Sequence, residues 1–108
     1  MNTHKALSML GIATKAGKTV TGEFSTEKAV KDGRACIVLV AADASENTKK
    51  KFRNMCKYYH VTFRELADKD SLGRACGKEF RASLAVTDQG LAKVIKEHID
   101  GYDNLEVQ

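Results

Sequence analysis

Residues 35–42 read ACIVLVAA, a run in which every side chain is apolar. The β-branched residues at its centre favour a strand, and the lack of an alternating polar face predicts that this strand is buried on both sides. A strand of this kind needs a layer of helices against each of its faces. The run therefore predicts an α/β fold with three layers, an α/β/α sandwich.

Helical and strand patterns alternate along the rest of the chain. Apolar residues at helical spacing predict helices over 3–16, 25–32, 45–59, 70–76 and 88–99. β-Branched and apolar runs predict further strands at 19–21, 60–63 and 82–86. Four of the helices have a predicted N-cap, which is Thr3, Ser25, Ser45 or Asp88.

The alternation also predicts where a ligand would bind. In open α/β sheets, ligand sites lie beyond the carboxyl ends of the strands. This rule places Gly22–Lys28, Asp43–Lys49 and the loop before Ala82 in one neighbourhood. Backbone N–H groups at a helix start, the positive end of the helix dipole and Lys28 one turn further on suit an anion, and phosphate is the obvious candidate.

Phe24 stands between the glycine and the predicted helix cap, and two interpretations of it are open. An apolar residue before a helix commonly packs on the first turns as a hydrophobic staple, and its partner here would be Ala29. Alternatively, its ring could be a platform for an unstacked base, as in many RNA-binding modules. The staple is the favoured interpretation.

The composition predicts one domain over residues 1–108, with residues 101–108 as a disordered tail. The net charge is +4, and the bases concentrate at 15–18, 49–53 and 74–81. Such a charge by itself does not distinguish a nucleic-acid partner from a solvated surface. The longest apolar run is too short to span a membrane and the amino-terminal residues lack a secretion signal, so we expect a cytoplasmic protein without a membrane partner.

No catalytic site, metal site or cofactor is predicted. The stretch GIATKAGKT at 11–19 has five residues between its glycines where a P-loop has four, and it ends a helix instead of following a strand. Cys36, Cys56 and Cys76 match no zinc or redox spacing and are expected to be buried free thiols. No carboxylate pair and no oriented Cys–His pair stands out, so we expect a protein that is not an enzyme.

Lys49, Lys50 and Lys51 form a run of charge early in the third predicted helix. Such a run is usually a solvated face. Lys49 belongs to the first turn, so we expect it beside the phosphate site, where lysines neutralise phosphates without reading sequence. Lys51 is expected to lie further round the helix, away from that site.

Three motifs, taken in order, resemble a known family over nearly the whole chain. They are GEFSTEKAVKDGRA at 22–35, VLVAADAS at 38–45 and LGRACGKEF at 72–80. Together they resemble the kink-turn RNA-binding ribosomal proteins, the ribosomal protein L-seven-Ae superfamily. Residues 15–18, 43–48 and 86–90 look most like its bacterial, ribosome-associated YlxQ branch.

The resemblance implies a four-stranded mixed sheet inside the sandwich, no catalytic group, and binding to structured, kink-turn-like RNA such as ribosomal RNA. Ribosomal or assembly proteins are further expected partners, and we expect a monomer. The alternative is a protein-interaction adaptor in ribosome assembly or translation, with little RNA specificity.

The family contacts RNA with two segments, one on the exposed edges of guanines and one on an extruded nucleotide. The resemblance assigns the first to Gly22, Glu23, Phe24, Ser25 and Lys28. It assigns the second to Gly77, Lys78, Glu79, Phe80 and Arg81. The strongest binders have Asn-Glu where this chain has Phe24-Ser25, so we expect weaker or altered kink-turn specificity.

Overall fold

The computed structural model describes residues 1–101, in which five helices alternate with four strands as the sequence predicts. The helices are α1 Thr3–Lys15, α2 Glu23–Lys31, α3 Glu46–Tyr59, α4 Lys69–Ala75 and α5 Gln89–Asp100. The strands are β1 Thr19–Thr21, β2 Ile37–Val40, β3 Thr62–Glu65 and β4 Ser83–Val86. The predicted tail falls outside the described residues, except for Gly101, which ends α5 in a left-handed conformation.

The four strands form one mixed sheet in the order β1-β4-β2-β3. β2 runs parallel to β3, whereas β4 runs antiparallel to both β1 and β2. All residues of the two central strands, β2 and β4, are buried, and those of the edge strands are half-buried. The run that predicted a doubly covered strand therefore lies at the centre of the sheet.

Helices cover both faces of the sheet and complete the three layers. On one side α2 contacts α3, and on the other α1 contacts α4 and α5. Phe52 of α3, Leu10 of α1 and Ile95 of α5 are fully buried. Burial of an aliphatic or phenylalanine side chain of this size contributes about 1.5–3 kcal/mol, so both helical layers are held by their apolar stripes.

Two of the predicted N-caps, Ser45 and Asp88, are confirmed. The prediction of Thr3 is wrong, because the side chain of Asn2 caps α1 by accepting the Lys5 N–H at 3.0 Å. β3 and α4 also begin away from the predicted positions. In β3 the shift arises because residue 60 is the left-handed C-cap of α3, with φ 59°, and so belongs to no strand.

One edge of the sheet gathers three loops. β1, β2 and β3 run in the same direction and β4 in the opposite one, so the carboxyl ends of the first three meet the amino end of β4. The Gly22 N–H donates to the Ser83 carbonyl at 2.9 Å, and the Ala41 N–H donates to the Ala82 carbonyl at 2.9 Å. Residues 22–28, 41–49 and 77–82 therefore lie together, as predicted, and we call this the loop edge.

The cysteines are free thiols. Cys56 and Cys76 are buried as predicted, whereas Cys36 is half-buried. Burial raises the pKa of the Cys56 thiol to about 11, so this side chain stays protonated at neutral pH and is a poor nucleophile. Within residues 1–101, no helix is both long and apolar enough to cross a membrane.

Candidate nucleic-acid interface

α2 begins two residues earlier than the sequence predicts, and Gly22, not Ser25, is its N-cap. Gly22 has φ 93° and ψ 161°, a conformation that only glycine adopts readily. Its N–H is bonded to Ser83, so the chain turns directly from β1 into α2 without a capping side chain. The first turn therefore consists of Glu23, Phe24 and Ser25, and its uncapped end lies at the loop edge.

Phe24 is exposed, and the predicted staple is wrong. Its side chain is 80% exposed, whereas the proposed partner Ala29 is fully buried. The reason is the earlier helix start, since Phe24 lies inside the first turn and its ring projects from the outer surface. It lines a shallow cleft of about 220 Å³ together with Lys28 and three further α2 residues, Glu27, Lys31 and Asp32.

Lys28 follows Phe24 by one turn on the same helix face. Its ammonium lies 3.1 Å from Asp32 Oδ2, and its side chain is 59% exposed. An exposed pair of this kind contributes only about 0–1 kcal/mol. Phosphate can therefore replace Asp32 as the partner of Lys28 at little cost.

The second predicted segment, residues 77–81, is fixed to α4 through its backbone. The Lys78 N–H donates to the Gly73 carbonyl at 2.9 Å, and the Arg81 N–H donates to the Lys69 carbonyl at 3.1 Å. A Cβ atom on Gly73 would lie 2.5 Å from the Cα of Phe80. Gly73 is therefore required for this close approach, a role that the sequence analysis missed. Gly77, with φ 70°, turns the chain out of the helix as predicted.

The side chains of this segment face solvent. Lys78, Glu79 and Phe80 are exposed, and the phenylalanine ring is 55% exposed. The Phe80 ring therefore does not pack under the edge of the sheet. The ring is available for stacking, while its backbone is held against Gly73.

Arg81 connects the two segments. Its Nε donates to Thr21 Oγ1 at 3.2 Å, and its Nη1 donates to the Phe80 carbonyl at 2.7 Å. Thr21 is the last residue of β1 and precedes Gly22 directly. Arg81 thus fixes the second segment to the start of the first, and Thr21 takes a part in the site that no local signal in the sequence indicates.

The three consecutive lysines of α3 point in different directions. Lys49 lies 3.6 Å from Glu65 at the end of β3, and only 13% of its side chain is exposed. Lys50 is exposed. The ammonium of Lys51 lies 2.7 Å from Glu27 Oε1, so Lys51 contacts α2. The prediction that Lys51 lies away from this region is therefore wrong.

Glu27 is the centre of this contact between helices. It is hydrogen-bonded to Lys31 at 2.8 Å as well as to Lys51, and these two cations lower the pKa of its carboxyl from the usual 4.5 to about 2. The carboxylate is therefore ionised across the physiological range. The bonds fix α2 and α3 relative to each other at the base of the loop edge.

A larger cavity, of about 370 Å³, lies elsewhere. It is lined by Ile37 and Thr62 at the amino ends of β2 and β3 and by Lys93 of α5, at the end of the sheet opposite the loop edge. Among residues 1–101, no group of three or more histidine, cysteine or carboxylate side chains could hold a metal ion.

Comparisons with known proteins identify the family of the chain. Residues 4–96 match the model of the ribosomal protein L7Ae/L30e/S12e/Gadd45 family. The chain is 42% identical over 92 residues to the RNA-binding protein YlxQ of Bacillus subtilis, covering 85% of this chain and 92% of that protein. It is 36% identical over 86 residues to the large ribosomal subunit protein eL30 of Methanoregula boonei, covering 77% of this chain and 84% of the relative.

Solved structures share the architecture. A protein of unknown function from Bacillus halodurans superposes with a TM-score of 0.86 at 36% identity, covering 89% of this chain and 97% of the other. The 15.5kD RNA binding protein of Giardia lamblia has the same fold, with a TM-score of 0.75 at 22% identity and coverage of 92% and 85%. The chain therefore belongs to the ribosomal protein L7Ae/L30e/S12e/Gadd45 family, as its motifs predicted.

Proposed function

We propose that this protein is a non-catalytic RNA-binding protein that recognises a kink-turn or a related structured RNA at the loop edge. Family membership and the RNA-binding protein YlxQ among its relatives support RNA as the partner. Ribosomal RNA in the cytoplasm is the proposed target, and the protein is proposed to act as a monomer. Ribosomal or assembly proteins are further proposed partners.

The observation that carries the proposal is the connection between the two segments of the loop edge. Arg81 bonds to Thr21, and Gly22 bonds to Ser83, so residues 22–28 and 77–81 are held side by side. Phe24 and Phe80 are both exposed, one on each segment. A single structured RNA can therefore contact both segments, and neither has to be ordered first.

Each segment offers a different chemistry to RNA. The first turn of α2 presents backbone N–H groups and the positive end of the helix dipole, with Lys28 one turn away, which suits the phosphates at a sharp bend of the backbone. The second segment offers Lys78 and the ring of Phe80, on which an extruded base can stack. Gly77 turns the chain into this segment and Glu79 is exposed on it, while Lys49, which is directed to Glu65, contributes only long-range attraction.

The first turn also sets the proposed specificity. An amide and a carboxylate suit hydrogen bonding to base edges, and here Phe24 and Ser25 take their places. The Ser25 hydroxyl can donate one hydrogen bond, whereas the Phe24 ring can only stack or exclude water. The protein is thus proposed to depend more on stacking and on backbone shape than on hydrogen bonds to guanine.

Titration calorimetry with three RNAs of equal length tests the proposal. They are a kink-turn stem-loop, the same molecule with its G·A pairs replaced by Watson–Crick pairs, and a plain duplex. We expect the kink-turn to bind about tenfold more tightly than the other two, which corresponds to one good base contact. Equal affinity for all three would leave only charge attraction and would contradict structure-specific recognition.

The adaptor alternative makes the opposite prediction for the protein isolated from cells. An RNA-binding protein should copurify with nucleic acid and release it steeply as salt rises, because phosphate contacts release counterions. An adaptor should be free of nucleic acid at every salt concentration. Sequencing of RNA crosslinked to the protein in cells would then identify the target.

A further inference from the structure

The outward face of α3 combines cations with an aromatic ring. Its residues are Lys50, Asn54, Lys57 and Tyr58, all exposed and spaced so that they share one side of the helix. The opposite side carries Phe52 and Cys56, which are buried in the core. We call the exposed set the α3 outer face.

The charge of this face is not compensated. Three of the five cations of α3 contact acids, since Lys49 and Arg53 lie 3.6 Å from Glu65 and Lys51 is bonded to Glu27. Within residues 1–101, Lys50 and Lys57 form no ion pair. The only acid of the helix, Glu46, lies in its first turn. The uncompensated charge favours an anionic partner.

Tyr58 gives the face a second property. Its side chain is 76% exposed, the largest exposed fraction of any large apolar side chain described except Phe24. The edge of one ring meets the face of the other between Tyr58 and Tyr59, with centroids 4.9 Å apart and an interplanar angle of 76°. This contact restrains the Tyr58 ring and leaves much of it in solvent. A restrained, exposed ring is suited to stacking on a base, and every base has a π-face.

The position of α3 connects this face to the loop edge. The helix begins after Ser45, which caps it at that edge, and it runs away along the sheet. Lys50 and Lys57 are seven residues apart, about 10 Å along the helix axis, and Tyr58 is the next residue. An RNA strand leaving the loop edge along α3 would therefore meet a lysine, a second lysine and then an aromatic ring.

We propose that the α3 outer face binds a single-stranded RNA segment that continues from the structured RNA at the loop edge. Lys50 and Lys57 contact phosphates, and a base stacks on Tyr58. The path of the RNA in this proposal rests on the proposed function, which places the structured RNA at the loop edge. Cations alternating with an exposed aromatic ring fit a flexible single strand, because its unpaired bases are free to stack, whereas the bases of a duplex are stacked on one another.

Fluorescence anisotropy with a kink-turn stem-loop and with the same RNA extended at either end by about six unpaired nucleotides tests the proposal. One extension should raise affinity for the wild-type protein by about fivefold or more. Tyr58→Ala should abolish this gain and leave the affinity for the unextended RNA unchanged, while Tyr58→Phe should keep it. Lys50→Ala with Lys57→Ala should reduce the gain, and Lys93→Ala, on the other helical layer, should not.

The proposal is separable from kink-turn recognition, because the single strand is also measured alone at low salt. If the wild-type protein binds that strand and Tyr58→Ala does not, the result supports single-strand binding by the α3 outer face. This holds even if the protein binds the kink-turn stem-loop without specificity. The proposal is overturned if the strand binds neither alone nor as an extension of the stem-loop. It is also overturned if Tyr58→Ala lowers the affinity for all RNAs equally. Circular dichroism of each variant confirms that the fold is intact.

Discussion

The ammonium of Lys51 lies 2.7 Å from Glu27 Oε1 and joins α3 to the helix that opens the loop edge. It also lies 3.5 Å from Glu23 Oε2, in the first turn of α2. One cation thus compensates two carboxylates that would otherwise repel RNA phosphates. We therefore expect Lys51 to affect RNA binding only indirectly, because these two acids already neutralise its charge.

Removal of Lys51 should weaken RNA binding. Lys51→Ala leaves Glu23 and Glu27 with less positive charge beside them, and we expect about a threefold or larger loss of affinity at low salt. Adding Glu27→Gln to this variant should recover part of the loss, since it removes one of the two carboxylates that Lys51 contacts. Calorimetric titrations of the single and double variants measure the coupling. If the two substitutions change RNA affinity additively, Lys51 does not act by neutralising Glu27.

Glu27 should give a measurable part of the acid sensitivity of folding. Its pKa falls from 4.5 to about 2 on folding, so its ion pairs stabilise the native state fully above pH 4.5 and are lost as the pH falls toward 2. Glu27→Gln should therefore flatten the dependence of the unfolding free energy on pH between these values. Urea denaturation at a series of pH values tests this. Glu97→Gln, the same change at an acid outside the ion pairs of residues 1–101, should leave the slope in place.

Gly73 should not tolerate a methyl group. Its Cβ would lie 2.5 Å from the backbone of Phe80, so Gly73→Ala must displace residues 77–81 or strain α4. We expect a loss of about 1–3 kcal/mol in stability and weaker RNA binding. Gly11→Ala, inside α1, is the control, because its Cβ would lie 3.5 Å from the Ala75 carbonyl oxygen, an ordinary contact distance. That variant should gain about 0.5–1 kcal/mol. Thermal melts of both variants measure the change in stability. Equal changes for the two substitutions would contradict the close contact between Gly73 and Phe80.

The first turn of α2 should accept a more specific pair of side chains. Phe24→Asn combined with Ser25→Glu introduces an amide at an exposed position and a carboxylate at a half-buried one, and an acid in a first turn favours the helix. Kink-turn affinity should rise by about 1–3 kcal/mol, with no gain for a plain duplex. If affinity for both RNAs changes equally, base edges do not lie at this turn.

Phe80 should contribute to binding and not to folding. Its ring is more than half exposed, so Phe80→Ala should leave the melting temperature nearly unchanged. Base–aromatic stacking is worth about 1–3 kcal/mol, and we expect RNA affinity to fall about five- to a hundredfold. A lower melting temperature with unchanged affinity in the folded fraction would assign the ring to packing instead.

The parts of the fold that depend on neighbouring residues could be predicted from the sequence. Ser45 and Asp88 cap helices by accepting hydrogen bonds from N–H groups three residues away. The run at 35–42 is apolar throughout, and this composition alone predicts a strand buried on both faces. The start of α2 could not be predicted in this way. Ser25 is the better cap by local propensity, but Gly22 is fixed by Ser83, which lies far along the chain.

The same limit applies to the site. The motifs predict the two segments, yet the contact that joins them, between Arg81 and Thr21, spans 60 residues and leaves no local pattern. Likewise, the spacing within α3 does not show which of Lys49, Lys50 and Lys51 is exposed. Lys49 is directed to an acid on β3 and Lys51 to an acid on α2, and both acids lie outside α3. Exposure of Phe24 follows from the true helix start, so one missed cap also gave the wrong position for the ring.

β4 is the last strand of residues 1–101 but lies between β1 and β2 in the sheet. Within residues 1–101, β1 pairs with no strand other than β4, and Ser83 holds the N-cap of α2. A chain still growing on the ribosome therefore carries residues 22–28 without the strand that fixes them until residues 83–86 have been made. We therefore expect the proposed RNA-binding edge to form only after β4 has been synthesised and has paired with β1.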